Sequence, residues 1–246
     1  MKNLQHKAAL ITGGSRGIGA AIAKRFALDG ANVAITYQSS ADKAEKVVQE
    51  IQQHGGKALA IQADSAEPQA IMSAVDKTAK EFGGLQILVN NAGIGLYDDI
   101  ANLSLQDFDR IMAVNVRAVF AGSKVALQYL EKGGRIINIG SCQAERMPTP
   151  GGSLYAMSKS ALIGLTKGMA RDLGPKGITV NLVHPGPVNT DMNPADGPFA
   201  DYQRSLMAIP EFGTGEDIAA LVAYLAGAES GYVTGVGFTI DGGTNI

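Results

Sequence analysis

Tyr155 and Lys159 lie four residues apart in the segment Tyr-Ala-Met-Ser-Lys, a spacing that could support proton transfer. Four residues make about one helical turn, so both side chains would share one face of a helix. A free phenol has a pKa near ~10, and a cation one turn away favours the phenolate and lowers that pKa. By itself, this short pattern is more typical of a solvated surface pair. The rest of the chain decides between these two interpretations.

A glycine-rich segment near the start of the chain could hold the phosphates of a nucleotide. Residues 12–19 read Thr-Gly-Gly-Ser-Arg-Gly-Ile-Gly, with the spacing Gly-x-x-x-Gly-x-Gly. Glycines let the backbone turn sharply and let a pyrophosphate approach the N-terminus of the following helix. A Gly-rich turn without a ligand is the alternative. Because the segment joins the first predicted strand to the first predicted helix, we interpret it as a dinucleotide site.

The end of the second predicted strand bears on the choice between NAD and NADP. Folds that bind NAD place an acidic residue there, against the ribose 2′-hydroxyl. Here residues 36–40 read Thr-Tyr-Gln-Ser-Ser without a carboxylate, and Asp42 comes only inside the next helix. Arg16, Ser39 and Ser40 could instead bind a 2′-phosphate. We therefore predict NADP(H) as the cofactor; NAD is the alternative, and Arg16 could also be a solvent-facing turn residue.

Short apolar runs alternate with longer helical patterns along the chain. The runs, interpreted as strands, cover 8–12, 32–37, 58–62, 87–90, 135–140, 179–183 and 237–240. The helical patterns cover 18–29, 41–54, 67–82, 105–130, 154–173 and 216–226. Continuously apolar runs are typical of parallel strands that are covered on both faces. The alternation predicts an α/β fold with a single domain over residues 1–246: a doubly wound, Rossmann-like parallel sheet with helices on both faces.

The substrate side of the predicted site is less distinct. Residues 185–198 are rich in Pro, Asn, Asp and Gly, which is typical of a binding loop, and we place the substrate loop at about 186–210. With residues 95–97 and 147–148, residues 192–207 should frame a mostly apolar pocket for a small or medium ketone. No basic cluster that would hold a phosphopantetheine is evident, which weakly favours a free carbonyl compound over an acyl-carrier substrate.

Composition and charge exclude several other classes of function. The net charge is −2 without long runs of one sign, which argues against a nucleic-acid or anionic-membrane surface. The single cysteine, Cys142, cannot form an internal disulfide, and three scattered histidines with one cysteine make a metal site improbable. The first residues are too polar for a signal peptide, and no apolar stretch approaches the ~20 residues of a membrane span. We expect a cytoplasmic protein.

Taken in order, these features resemble the short-chain dehydrogenase/reductase family over nearly the whole chain. The closest subgroup is similar to bacterial 3-oxoacyl-carrier-protein reductases and carbonyl reductases. Each motif is weak alone, but the ordered set is specific. The motifs are the glycine segment, Asn90-Asn91-Ala92-Gly93, Asn115 in Val-Asn-Val, Ser141, the Tyr155/Lys159 pair, Pro185-Gly186 and Asp241-Gly242-Gly243.

The resemblance implies catalytic roles for four residues. Tyr155 would donate the proton in ketone reduction, and Lys159 would lower the pKa of Tyr155 and hold the nicotinamide ribose. Ser141 would bind the substrate carbonyl, although it could merely close a turn after its strand. Asn115 would hold a water of a proton relay, although it could be a buried helix residue satisfied by backbone.

The predicted cofactor site combines the glycine segment with positions that the resemblance implies. Asp64 would touch the adenine, Thr190 and the Val188 backbone would reach the carboxamide, and Ile18 would pack along the pyrophosphate turn. The full predicted set is Gly13, Ser15, Arg16, Gly17, Ile18, Gly19, Tyr37, Ser39, Ser40, Asp64, Ser65, Asn91, Ala92, Gly93, Tyr155, Lys159, Pro185, Gly186, Val188 and Thr190.

The sequence thus predicts an NADP(H)-dependent carbonyl reductase that interconverts ketones and secondary alcohols, with the tyrosine as general acid and base. A 3-oxoacyl thioester reductase of fatty-acid synthesis and a nucleotide-binding regulator on the same scaffold are the alternatives. The helical patterns at 105–130 and 154–173 carry Ala, Leu and Gly on more than one face, as subunit interfaces often do. Because the family is commonly tetrameric, we predict a homotetramer.

Overall fold

Seven parallel strands form one sheet in a computed structural model that describes residues 3–246. The strand order is β3-β2-β1-β4-β5-β6-β7, so the chain builds outward from β1 and then crosses to β4 on its other side. This reversal opens a crevice at the carboxyl ends of β1 and β4, where doubly wound sheets bind ligands. The strands are β1 (Ala8–Ile11), β2 (Asn32–Tyr37), β3 (Ala58–Gln62), β4 (Ile87–Asn90), β5 (Arg135–Ile139), β6 (Thr179–Pro185) and β7 (Gly237–Ile240).

Helices cover both faces of the sheet. Those of residues 3–246 are α1 (Gly17–Leu28), α2 (Ala41–Gln53), α3 (Pro68–Phe82), α4 (Leu105–Met112), α5 (Ala118–Ala126), α6 (Ser153–Leu173), α7 (Ala200–Ser205) and α8 (Gly215–Ala226). On one face, α1, α2 and α8 bury apolar residues such as Phe26 and Val222. On the other face, α3, α5 and α6 bury residues such as Ile71 and Leu173. Strands β1, β4, β5 and β6 are buried at every position between these two layers, whereas β7 at the edge of the sheet has no buried residue.

The predicted fold class is confirmed: the sheet is doubly wound, parallel and Rossmann-like. Each apolar run forms a strand, and the ends differ from the predictions by no more than two residues, as strand ends commonly do. The prediction of one continuous helix over 105–130 is wrong. A π-helical turn, Ala113–Arg117, separates α4 from α5. Apolar spacing does not reveal such an inserted residue, and π-helical turns are frequent at functional sites.

The predicted substrate loop contains a short helix, α7, that the sequence pattern did not indicate. Asn193 and Gln203 exchange two side-chain hydrogen bonds of 2.9 Å, which join the start of the loop to α7. Arg204 donates to the backbone oxygen of Ala195 at 2.5 Å. These contacts give the loop a defined shape against its own helix. Within residues 3–246, no helix combines the length and apolar character that a membrane crossing requires.

Candidate active site

The glycine segment forms a tight turn between β1 and α1. Gly13 and Gly17 have positive φ angles of 66° and 53°, a region that favours glycine. The Gly13 N–H donates to the Thr36 hydroxyl at 3.0 Å, and the Gly14 N–H donates to the Thr36 carbonyl at 2.9 Å. The turn is therefore held against the end of β2, the strand whose tip was predicted to select the cofactor.

The predicted residues after β4 pack directly against this turn. The Asn91 side chain donates to the Thr12 and Gly13 carbonyls at 2.8 and 3.1 Å. A Cβ atom at Gly19 would lie 2.5 Å from the Asn91 amide nitrogen, and one at Gly13 would lie 2.9 Å from Cα of Ala92. Only glycine allows this approach. The Thr12 hydroxyl accepts from both the Asn91 and Ala92 N–H groups at 3.0 Å, a role that sequence reasoning missed.

Two features of this crevice fit a bound dinucleotide. Arg16 is the N-cap of α1 but makes no side-chain capping bond, so the first N–H groups of the helix suit an anion such as a pyrophosphate. Further along the crevice, a Cβ atom at Gly93 would lie 3.2 Å from Lys159 Nζ and 3.4 Å from Asn115 Oδ1. Glycine thus keeps the space in front of the buried Lys159 open.

The predicted catalytic residues converge at the carboxyl end of β5. Ser141 follows this strand and is buried, while Tyr155 and Lys159 lie one turn apart in α6. Lys159 Nζ lies 5.9 Å from the centre of the Tyr155 ring and donates to the Ile139 carbonyl at 2.9 Å. The helical geometry predicted for the Tyr/Lys pair is therefore present, and the ammonium is anchored to the end of β5.

Burial controls the protonation of this pair. Burial of the phenol raises the pKa of Tyr155, and a hydrogen bond with Ser141 opposes that rise. Burial also lowers the pKa of Lys159 to about 8. In the described chain, residues 3–246, no carboxylate forms an ion pair with Lys159. The net effect on the Tyr155 phenol is a raised pKa, because desolvation outweighs the other contributions. The expected lowering of that pKa by Lys159 stays a prediction.

Asn115 lies in the π-helical turn and links two parts of the site. Its amide group donates to the Ile94 carbonyl and the Ser158 hydroxyl, both at 2.9 Å. Its Oδ1 accepts from the Ile94 N–H at 2.9 Å. Ser158 lies between Tyr155 and Lys159 in α6, so Asn115 holds the segment after β4 against α6. The predicted water-holding role of Asn115 stays a prediction.

Two further residues contact the predicted catalytic cluster: His184, which was not among the predicted site residues, and Tyr97, which was predicted only to frame the substrate pocket. His184 Nδ1, buried in β6, lies 2.8 Å from the Ser141 carbonyl and fixes the backbone of that residue. The Tyr97 ring packs on Tyr155 at 5.4 Å between ring centres, and its hydroxyl donates to Gln143 at 3.0 Å. Both contacts join residues far apart in sequence, so local spacing carried no signal for them.

The substrate-loop side of the predicted cofactor site also meets the glycine turn. Pro185 is the last residue of β6 and pairs with Ile240 of β7. The next residue, Gly186, continues this pairing, because its N–H donates to the Ile240 carbonyl at 3.0 Å. Val188 is buried and pairs with Gly213 in an isolated bridge. Thr190 lies next to the glycine turn, since its methyl carbon would be 3.2 Å from a Cβ atom at Gly17.

Polar groups surround the end of β2, where the 2′-phosphate was predicted. Tyr37 ends this strand, and Ser39 and Ser40 follow it. Ser40 is the N-cap of α2, although its side chain makes no capping bond. The neighbouring Gln38 donates to the Asp64 carboxylate at 2.8 Å.

The remaining predicted cofactor residues line the two sides of the crevice. Asp64 also accepts from the Ala66 N–H at 2.8 Å, and Ser65 between them is half-buried. Ser15 is half-buried in the glycine turn, and Ile18 packs on the core beneath α1. Within residues 3–246, no three His, Cys, Asp or Glu side chains cluster in a way that could hold a metal ion.

Comparisons with known proteins agree with this architecture. The family model described as enoyl-(acyl carrier protein) reductase matches residues 13–245. A cyclic-di-GMP-binding biofilm dispersal mediator protein of Escherichia coli (strain K12) is 49% identical over 236 residues, 96% of each chain. A 3-oxoacyl-acyl-carrier-protein reductase of Staphylococcus epidermidis is 39% identical over 241 residues, 97% of this chain and 98% of the relative. The crystal structure of a short-chain dehydrogenase from Burkholderia cenocepacia J2315 in complex with NADP is 59% identical, with a TM-score of 0.98, over 99% of this chain and 100% of that one.

The fold and site define a dinucleotide-binding α/β protein of the oxidoreductase type, with a Tyr/Lys pair whose lysine lies beside Gly93. The family match and the relatives each span nearly the whole chain. The chain belongs to the short-chain dehydrogenase/reductase family.

Proposed function

We propose that this protein is a carbonyl reductase that converts ketones to secondary alcohols with NADPH, with Tyr155 as the proton donor. The observation that carries the proposal is the convergence of Ser141, Tyr155 and Lys159 beside Gly93 in the dinucleotide crevice.

Ketone reduction requires a hydride and a proton on opposite ends of one carbonyl bond. When bound, the nicotinamide supplies the hydride. The carbonyl oxygen then needs a proton donor within ~3 Å and a second hydrogen bond to stabilise its developing charge. The raised pKa of Tyr155 keeps its hydroxyl protonated at neutral pH, which suits the donor, and the Ser141 hydroxyl suits the second hydrogen bond.

Lys159 and Asn115 support this chemistry in different ways. The Lys159 ammonium, held at the Ile139 carbonyl, would bind the ribose hydroxyls and favour transfer of the Tyr155 proton. Asn115 would fix α6 against the glycine crevice through Ser158 and would hold the relay water of the prediction.

NADP(H) is the cofactor that this proposal favours over NAD(H). The end of β2 carries no carboxylate that would bind a free 2′-hydroxyl, and Arg16 lies at the nearby helix N-terminus. The Burkholderia relative binds NADP. The assignment is tested by the Michaelis constants for NADPH and NADH with one ketone, and a clear preference for NADH would contradict it.

The pocket favours a free ketone with an apolar arm. The exposed rings of Tyr97, Phe199 and Tyr202 and the side chain of Met192 stand on its expected rim. A panel of aryl ketones, β-keto esters and acetoacetyl thioesters, followed by the absorbance of the reduced nicotinamide, tests this preference. Fast turnover of the thioester alone would replace the proposal with a 3-oxoacyl thioester reductase, the function that the Staphylococcus relative's description suggests.

Replacement of the proton donor tests the mechanism directly. A Tyr155→Phe variant should lose about 10²- to 10⁴-fold in turnover, the usual contribution of a general acid, while it still binds NADPH. Tyr224→Phe is the matched control, because Tyr224 lies exposed on α8. Turnover of Tyr155→Phe close to that of the control would remove Tyr155 from the mechanism.

A second candidate function is a nucleotide-binding regulator, which the description of the Escherichia coli relative favours. Equilibrium dialysis with labelled cyclic-di-GMP, with and without NADPH, tests it. Binding without turnover of any ketone in the panel would support the regulator. Turnover without cyclic-di-GMP binding would support the reductase alone.

The assembly and location belong to the proposal as well. Leu105, Phe108 and Phe120 expose large apolar surface on α4 and α5, as a subunit interface would require in a homotetramer. The only cysteine, Cys142, is buried and unpaired, which suits the reducing cytoplasm.

A further inference from the structure

Asp191 of the substrate loop lies among cations at the predicted 2′-phosphate position. Its Oδ2 accepts from Lys43 Nζ at 2.6 Å and from Arg16 Nη1 at 3.4 Å. The residues come from the loop after β6, from the first turn of α2 and from the glycine turn. Lys43 was not among the residues predicted to bind the cofactor. About half of each side chain is exposed, so water and solutes reach this cluster.

The carboxylate binds these cations as a phosphate would. A phosphate monoester carries about −1.5 to −2 charges at neutral pH, whereas a carboxylate carries one. Arg and Lys form charge-assisted hydrogen bonds with both groups. Lys43 and Arg16 hold the pKa of Asp191 below its ordinary value, Lys43 contributing most. A second anion that reaches Arg16 and Lys43 must therefore compete with Asp191.

We propose that Lys43 is a ligand of the NADP(H) 2′-phosphate and that Asp191 is an internal competitor for Lys43 and Arg16. This inference rests on the cofactor preference of the proposed function. The 2′-phosphate takes the two cations in place of the Asp191 carboxylate, which is released to water. A cofactor without this phosphate leaves the Asp191 contacts intact. Selectivity for the phosphorylated cofactor is then set by how much more strongly the 2′-phosphate binds Lys43 and Arg16 than the Asp191 carboxylate does.

The exchange also reaches the substrate loop, because Asp191 lies in a turn that is tied to α7. The Asn193 N–H donates to the Thr190 carbonyl at 3.0 Å and closes the turn around Asp191. The Asn193 side chain then exchanges its two hydrogen bonds with Gln203 in α7. Release of Asp191 removes the two ion pairs that help to tie this turn to α2 and to the glycine turn, where Thr190 also approaches Gly17. Occupation of the 2′-phosphate position therefore loosens one end of the substrate loop.

Calorimetry with two adenosine ligands tests the competition without catalysis. Adenosine 2′,5′-bisphosphate carries the 2′-phosphate, and adenosine 5′-monophosphate lacks it. Asp191→Asn should bind the bisphosphate about two- to tenfold more tightly than the wild type, the range for the loss of exposed ion pairs. Lys43→Gln should bind it about 1.5- to fivefold more weakly. Neither variant should change the affinity for the monophosphate.

Matched variants separate the contact from a general effect of charge. Asp201→Asn removes a carboxylate of the same loop that pairs with Arg204 at 2.9 Å and not with Lys43. Lys46→Gln removes a cation of α2 that forms no ion pair with Asp191. Both should change the bisphosphate affinity less than their counterparts. In the double variant with Lys43→Gln, the gain from Asp191→Asn should shrink, because the two anions then compete for Arg16 alone.

The results distinguish failure of this inference from failure of the proposed function. If the wild type binds both ligands equally well, the NADP(H) assignment and the inference fail together. If the wild type prefers the bisphosphate but Asp191→Asn binds it no more tightly, only the competition fails. Equal losses in Lys43→Gln and Lys46→Gln would overturn Lys43 as a direct ligand. Amide hydrogen exchange in residues 189–207 should rise with the bisphosphate and not with the monophosphate, and an unchanged rate would overturn the link to the loop.

Discussion

Replacement of Lys159 by Met should stabilise the cofactor-free protein even as it abolishes reduction. Burial lowers the pKa of Lys159 from 10.5 to about 8. At 1.36 kcal/mol for each pKa unit, the buried ammonium costs about 3 kcal/mol of folding free energy at neutral pH. Loss of the hydrogen bond to the Ile139 carbonyl offsets about 1–3 kcal/mol of this cost. We expect a net gain of about 1 kcal/mol in the free energy of unfolding.

The dependence of this gain on pH has a defined sign. Below pH 8, the folded and unfolded chains both keep the Lys159 proton, so the cost of the buried charge is fully present. Between about pH 8 and pH 10.5, the folded protein has released the proton while the unfolded chain retains it. Wild-type stability therefore rises with pH in this window, relative to the variant. The advantage of Met should be largest at neutral pH and should fade toward pH 10.5.

Urea unfolding followed by circular dichroism measures this difference in stability between the variant and the wild type. The measurement is made at one protein concentration and at several pH values. Lys167→Met is the matched control, because Lys167 is exposed on the same helix and its replacement should change stability little. The desolvation reasoning is refuted if Lys159→Met is less stable than the wild type at pH 7, or if its gain does not change with pH. Since Lys159 is proposed to hold the ribose, the stabilised variant should also bind NADPH more weakly, a common exchange of stability for function.

Three further predictions concern the core, the cysteine and the assembly. Asn138→Ala should lower the free energy of unfolding in urea by about 2–4 kcal/mol, because the buried Asn138 amide accepts from Asn90 and donates to Thr166, both at 2.9 Å. Ser123→Ala leaves the Asn90–Asn138 hydrogen bond in place and should lower it less. Equal losses in the two variants would contradict this network. Burial raises the pKa of the Cys142 thiol to about 11, so it should resist Ellman's reagent at pH 8 until the protein unfolds, and rapid reaction of the folded protein would refute this. Light scattering at micromolar concentration should show a tetramer. A monomer would contradict the proposed interface on α4 and α5.

Much of the fold was predictable because its signals are local. A parallel strand covered on both faces must be apolar at consecutive positions, so each apolar run marked a strand. The glycine turn was recognisable because positive φ angles and close backbone approach exclude other residues, as Gly13 and Gly19 demonstrate. The prediction of one helix over 105–130 was wrong in the interior of that segment, because a π-helical turn adds a residue without interrupting the apolar pattern.

The candidate site was predictable in its residue types but not in its electrostatics. The spacing of Tyr155 and Lys159 correctly placed both side chains on α6. It also suggested that the lysine acidifies the phenol, a rule that holds when charge attraction exceeds desolvation. Tertiary packing buries Lys159 and half-buries Tyr155, and desolvation disfavours the charged form of each, so the pKa of Tyr155 rises and that of Lys159 falls.

The sequence by itself determined the order of strands and helices, the glycine turn and the placement of Tyr155 and Lys159 one turn apart on a helix, because each depends on neighbours within a few residues. The tertiary structure alone decided which distant side chains meet. His184 reaches Ser141 across 43 positions, and Asp191 reaches Lys43 across 148. Such contacts arise where parallel strands deliver their loops to one edge of the sheet, and no local periodicity encodes them.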